Sequence, residues 1–427
     1  MKFSARFLED AANAIPEERA TVADLQIFVS EQNVTMHLRD NSTRTGLPTD
    51  HVTIPLYNLA EGIAYDWWSL FGGRDQEFRL MKYRSGFLVP DVRFKFDGVA
   101  FEVSAPQKVY KNPDVRFWAG PTEVLSRPQA EFALSDIVQQ VIQQLDRKKF
   151  RESSAALRWA RVQESRERPE EAAFCESAGA LGLDPYQIAD ADALTIDRAS
   201  SLFEDREALD EFLSGARPYT PNQMLDWIVQ AEKRPKYKST LPGLRDLVTE
   251  AEKITPSHSI ESSWALGYRR ARAMRKALNL ANEKRIRSSK QLASMLGASE
   301  SYSPAGTVNG IRAIRHDYDG HISIHLRNHG KSATQARSEM FSFARAIGDA
   351  ACFPNSGRSA INELHSAYRQ AAGRAFAAEF LAPIEEIKSM QKDGWDRISI
   401  EDEFCVSAHV IEHQIENADR INLACAA

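Results

Sequence analysis

From Ser338 to Phe353 the chain reads SEMFSFARAIGDAACF, and Phe341, Ala344, Ile347, Gly348 and Ala351 recur at helical spacing. That stripe predicts an amphipathic helix about four turns long, with Arg345 and Asp349 four apart on one face. Its companion, RQAAGRAFAAEFLAP, runs from Arg369 to Pro383. Upstream of both, IRAIRHDYDGHISIHL (311–326) reads as two short strands around an Asp319-Gly320 turn.

The first 150 residues alternate strand and helix patterns. Leu25 to Val29, Val34 to Leu38 and His51 to Leu56 have strand character, and Leu59, Ile63, Trp67 and Leu70 form a helical stripe. Trp67 and Trp68 are adjacent, so they face different sides and cannot both point at one core; burial is the usual fate of such large aromatic residues, and contact of one with another domain or a partner is the alternative. In Asp91 to Val103, alternating apolar residues flank Asp97-Gly98, which suits a type I′ hairpin turn. A proline-bearing loop (Pro106, Pro113, Pro121, Pro128) then leads to a helix over Phe132 to Phe150. Residues 151–262 read as helical, with a stop at Gly182, an amphipathic stretch at Met224, Trp227, Ile228 and Ala231, and a breaker-rich loop at Lys233 to Gly243. The expected organisation is α+β throughout: an N-terminal mixed α/β domain (1–150), a helical linker or bundle (151–262), and a mostly helical C-terminal domain with a short β-sheet (263–427).

Length and composition agree with this. A chain of 427 residues exceeds what one core usually supports, and 43% hydrophobic with 26% charged residues is ordinary for a globular protein. A net charge of −5 argues against a globally basic nucleic-acid binder. The acidic N-terminal twenty residues and the absence of an eighteen-residue apolar run predict a cytoplasmic protein with no membrane partner. Cys175, Cys352, Cys405 and Cys425 lack any C-x-x-C spacing, which favours reduced thiols.

The stretch at 338–353 resembles the active-site helix of the ImmA/IrrE-type zinc peptidases, roughly F-T-L-A-H-E-L-G-H. Phe341, Ser342, Phe343, Ala344, Ile347 and Gly348 follow it, and the segment carrying Phe376, Ala377, Ala378, Leu381 and Pro383 looks like the family's downstream E-x-E-A-N-x-F-A-A-x-L-L-M-P. Upstream, Trp264 to Ser299 resembles the family's opening helices, and the tail Val406 to Ile421 resembles its closing helix. The resemblance covers about Trp264 to Ile421 and implies a zincin-like fold. It fails at the chemistry. Arg345 stands at the first histidine ligand, Ala346 at the general-base glutamate, Asp349 at the second histidine, and the acidic ligand falls on Gln370 or Ala372. A guanidinium has no lone pair for zinc, and an alanine takes no proton from water. The expectation is a degenerate member with no catalytic residues and no metal, in which an Arg345–Asp349 salt bridge fills the site. A groove around Arg345, Asp349, His325 and Phe376 would then bind a protein partner. The family's members act on transcriptional repressors in stress response, toxin–antitoxin and phage-defence settings, which makes a transcriptional regulator or a toxin or defence component the implied partner.

Two other functions compete. An active zinc endopeptidase with displaced ligands would need zinc as cofactor, and HVIEH (409–413) matches the inverted motif H-x-x-E-H, while His316, His321, His325 and His329 cluster near the strands. Only fourteen residues follow His413 to supply a third ligand, and histidines on the polar side of a hairpin explain the cluster without metal. A DNA-binding regulator would use the basic stretch 269–290, with Arg269, Arg272, Lys276 and Arg287 as phosphate contacts and Glu283 as the acid opposing them within it.

Overall fold

The computed structural model describes residues 1–9, 15–39, 48–111, 114–255, 262–330 and 332–426. Pro113, in the predicted loop, and the side chain of Cys425 lie outside the described residues. The fold is α+β and divides into two compact units, Met1–Ala193 and Leu194–Ala427. The helices of 151–262 are thus shared between two units and form no third one. No helix among the described residues is long and apolar enough to cross a membrane.

The Met1–Ala193 unit contains three small antiparallel sheets and the Tyr57–Gly72 helix, which packs mainly against the later helices Arg127–Arg147, Ser154–Glu167 and Pro169–Leu181. Val22–Val29 pairs with Lys2–Phe7 and with Val52–Pro55. The predicted strand Val34–Leu38 does not exist as one element: Gln32–Asn33 joins that first sheet, whereas His37–Arg39 pairs with Asp114–Phe117 in another. The predicted proline loop carries strands too, since Lys108–Lys111, Asp114–Phe117 and Thr122–Ser126 are all paired. The 91–103 hairpin is present, with Phe96 opposite Phe101. Its turn lies one residue later than predicted, because Asp97 N–H donates to the Ala100 carbonyl (3.1 Å) and Gly98 takes φ +107. Asp97 Oδ1 fixes it by accepting from the N–H groups of Val99 and Ala100 (2.7 and 2.8 Å).

The adjacent tryptophans are both core residues, as the favoured reading of large aromatic side chains expects. Both are buried within this one unit. Trp67 packs edge-on against Trp159, with the Arg166 guanidinium over its ring (5.1 and 4.8 Å between centres). Trp68 Nε1 donates to Tyr186 Oη (3.0 Å). The helices Ser154–Glu167 and Pro169–Leu181 supply that second covering layer, which the sequence assigned to a separate domain. Small residues permit the close approach: a Cβ on Gly179 would stand 2.1 Å from the Trp68 carbonyl oxygen.

The Leu194–Ala427 unit is organised around one antiparallel sheet in the order Thr240–Leu241, His321–Leu326, Ile311–Tyr318, Arg358–Asn362. Asp319 (φ +48) and Gly320 (φ +76) make the predicted hairpin turn. Against the sheet lies the central helix, Ala333–Cys352, opened by a Ser332/Gln335 capping box. The companion helix Tyr368–Leu381 packs against it, and the opening helix Ser263–Ala277 packs against the companion. The closing helix is Ala408–Ala426.

Two glycines set these helix crossings. On Gly348 a Cβ would meet the Phe376 ring at 2.6 Å, and on Gly267 it would meet the backbone carbonyl oxygen of Ala372 at 2.4 Å. The second clash is with a backbone that is itself helical, so it is relieved only by moving a whole helix. Gly267→Ala should lower stability by about 1–3 kcal/mol, overpacking outweighing the gain in helix propensity of about 1 kcal/mol. A urea midpoint equal to or above that of the wild type would contradict this reading of the crossing.

Candidate functional site

The polar positions singled out on the central and companion helices belong to a buried polar network. Arg345, Asp349, Arg369 and Gln370 are all nearly inaccessible, as are Arg315, Ser359 and Asn362 from the sheet. The predicted Arg345–Asp349 salt bridge does not form; each residue has found other partners. Arg369 Nε stands 2.5 Å from Asp349 Oδ1, and its Nη2 donates to Oδ2 (3.0 Å). Arg315 Nε lies 3.1 Å from Oδ2, and Ser359 Oγ donates to the same oxygen (2.5 Å). One carboxylate therefore holds two guanidiniums and a hydroxyl, joining the central helix, the companion helix and two sheet strands.

Arg345 is held differently. Its Nη2 donates to Gln370 Oε1 (2.6 Å) and to the Asn362 carbonyl (2.8 Å). Gln370 Nε2 in turn donates to Glu211 Oε1 (2.7 Å) and the Ala360 carbonyl (2.8 Å). The amide thereby bridges a buried cation to a buried anion, and these contacts fix which way it points. Glu211 comes from the helix Arg206–Ala216, whose N-cap Asp205 also lies near Arg369 (3.4 Å from Nη1). Three guanidiniums thus stand among three carboxylates.

The electrostatics follow from this burial. For Asp349, burial raises the carboxyl pKa, but the Arg369 and Arg315 charges and the hydrogen bonds of Arg369 and Ser359 outweigh it and hold the group below its ordinary value. For Arg345, burial and then the neighbouring Arg374 pull the guanidinium down to about 9, still cationic at neutral pH. His325, on the sheet, is pushed down to about 4 chiefly by burial, so it is neutral at pH 7. Burial also drives the Cys352 thiol up, which makes it a core residue and no nucleophile.

The four residues predicted to line a binding groove do not line one. Arg345, Asp349, His325 and Phe376 are 5%, 1%, 4% and 0% exposed, because the sheet and the companion helix close over them. Among the described residues no three His, Cys, Asp or Glu side chains are placed to hold a metal. The histidines around the hairpin are dispersed: His316 Nδ1 lies 3.2 Å from Glu232 and His329 Nδ1 3.3 Å from Ser338 Oγ, while His321 is exposed. Ala346 and Ala372 are buried and apolar.

The basic stretch is largely committed to the protein's own backbone and acids. Arg272 pairs with Glu379 (2.7 Å), Arg287 with Glu403 (3.0 Å), and Arg269 donates to the Thr255 carbonyl (3.1 Å). Arg275 is buried and donates to the carbonyls of Phe380 and Ala281 (both 2.6 Å). Lys276 is exposed. The acids that answer these arginines lie a hundred residues downstream, where a reading of local charge finds none.

An open groove does exist nearby, with a volume of about 740 Å³. The central helix contributes Thr334, Arg337, Ser338 and Phe341, and the companion helix Ala371, Arg374, Ala375 and Ala378, each set at i, i+3, i+4, i+7. The opening helix adds Trp264, and the closing helix adds His409, Val410, His413, Gln414 and Asn417. Alanines on the companion helix leave the trough unfilled. Its lining contains arginines and histidines but no Asp or Glu. Arg345, one turn beyond Phe341, is where the same helix face passes from groove into core.

Sequence reasoning missed this groove because its lining is drawn from four helices and carries no motif. It also missed Arg369, Arg315 and Glu211. One signal was available: Arg369 and Gln370 are adjacent polar residues entering an Ala- and Phe-rich helix. Searches of family models, of curated proteins and of solved structures found nothing that matches this chain.

Proposed function

We propose that the Leu194–Ala427 unit is a metallopeptidase-like module without catalytic activity, which acts by holding a segment of a partner protein in the 740 Å³ groove. The observation that carries this reading is the contrast between the two places. Where a zincin would keep zinc and a base, the charged side chains are buried in a shared network that leaves only single atoms such as Arg345 Nε without a hydrogen-bond partner; one helical turn away, an open trough remains. The occupant that fits is a peptide with large apolar side chains. Phe341, Trp264 and Val410 offer apolar contact and the alanines leave room, while Arg337 is already paired with Asp402 (2.6 Å) and Arg374 donates to the His365 carbonyl. The resemblance to ImmA/IrrE-type proteins supplies the setting: regulation of transcription, stress response or defence against phage and mobile elements, with a regulator or a toxin or defence component as partner.

Panning the full chain against a random peptide library tests this. The expected binders carry Leu, Ile or Phe, and remain intact after prolonged incubation. Ala371→Trp, which fills the trough, should weaken them at least about tenfold, the loss of a well-packed apolar anchor. Binders insensitive to that change, or no binders at all, would sink the groove assignment; cleavage of the bound peptide would restore the peptidase alternative.

A further inference from the structure

The closing helix carries a feature that the peptide-binding reading does not use. His409 and His413 sit one turn apart on its exposed face, both in the groove lining, with Nε2 atoms 3.1 Å from each other and rings inclined at 73°. Zinc–imidazole bonds are about 2.0–2.1 Å long, so two of them place their nitrogens roughly 2.9 Å apart at a right angle and roughly 3.3 Å apart at the tetrahedral angle. The observed separation lies between those limits. On the far side of His413, Nδ1 stands 3.6 Å from Glu416 Oε2. A carboxylate there favours the tautomer with its proton on Nδ1 and leaves Nε2 free to ligate, the usual arrangement behind a metal-bound histidine.

We propose that His409 and His413 form a two-point site for a divalent transition-metal ion at the rim of the groove. Among the described residues no third His, Cys, Asp or Glu completes a set, so water fills the remaining coordination positions. The metal goes on at the expense of the imidazole–imidazole hydrogen bond: the ring that donated through Nε2 shifts its proton to Nδ1, and both Nε2 lone pairs pass to the ion. Imidazole pairs bind Cu(II) more tightly than Zn(II), as the general affinity order for first-row ions requires. This site differs from the inverted peptidase motif that its letters spell, since Glu412 forms an ion pair with Arg397 and no third ligand is at hand.

The test needs the metal alone and no peptide, so its outcome is independent of the proposed partner. The full chain, freed of metal, is titrated with Zn(II) and then Cu(II) in competition with a chromophoric chelator. One saturable equivalent is expected, tighter for Cu(II), and weakened at least tenfold in His409→Ala and in His413→Ala. Glu416→Gln keeps both ligands and should weaken binding severalfold. Both histidines are exposed, and far-UV circular dichroism of each variant checks that the helix persists. Wild-type binding that survives in the double variant, or no saturable binding by the wild type, overturns the proposal.

Discussion

Asp349→Ala should cost the Leu194–Ala427 unit about 3–5 kcal/mol, the size of effect expected when one partner is removed from a buried ion network. The cost does not come from the lost methylene and carboxylate volume. Arg369 and Arg315 are 6% and 0% exposed, and both face Asp349. Without it, two guanidiniums remain inside the protein with the charge of one carboxylate gone. Asp205 lies within reach of Arg369 at 3.4 Å but does not face Arg315 as Asp349 does. The same carboxylate sets an acid limit. Its folded pKa lies below the unfolded value near 3.9, so its contribution is complete above about pH 4 and drains away as the pH falls through the folded value. The stability of the wild type should therefore drop more steeply below about pH 4 than that of Asp349→Ala. Urea unfolding at pH 7 and at pH 3 checks both statements; a loss under about 1 kcal/mol at pH 7 would mean that the network is not the strut described.

The particular residues show what a sequence can and cannot disclose about such a site. Periodicity located the central helix through its Phe341, Ala344, Ile347, Gly348 and Ala351 stripe, and the 311–326 hairpin through the Asp319-Gly320 turn, whereas the companion and closing helices were expected from the family resemblance. Position-by-position comparison with the zincin pattern also identified Arg345, Ala346, Asp349, Gln370 and Ala372 as departures. What it gave no access to was partnership. Arg345 and Asp349 share a helix face, yet pairing them along the helix lost to alternatives presented by other elements: Arg369 and Arg315 for the acid, Gln370 and the Asn362 carbonyl for the base. A planar guanidinium at a rigid distance across two packed elements outcompetes a flexible contact within one helix. The same holds for Trp68, whose second covering layer lies more than a hundred residues away in the chain. Glu379 is a further case: a candidate ligand by its chemistry, it is buried, pairs with Arg272, accepts from Gln414 Nε2 (3.1 Å) and accepts from the Ile384 N–H (3.1 Å).

Writing the zincin motif into the central helix should not create a zinc site. Arg345→His, Ala346→Glu and Asp349→His together spell the letters H-E-x-x-H, but each lands in surroundings built for something else. Position 349 faces Arg369 and Arg315, whose charges repel a dication and disfavour its approach to the new imidazole. Position 346 is 0% exposed, so a glutamate there would be protonated or would disrupt the core before it served as a base. The third ligand is still absent: Gln370 is an amide, already committed to Asn362, Ala360 and Glu211. Converting it with Gln370→Glu would set a second carboxylate against Glu211, which stands 2.7 Å from the amide nitrogen now. The decisive measurement is zinc per chain after equilibration and dialysis, made in a background carrying His409→Ala and His413→Ala so that the groove pair contributes nothing. The triple variant should hold well under about 0.1 zinc per chain, unfold at lower urea than the wild type, and cut no peptide, since a site with two imidazoles and no acid lacks the three protein ligands of a catalytic zinc. Zinc near one per chain, lost again when either introduced histidine is removed, would show instead that the fold had kept its metal cavity and that the arginines were passengers in it.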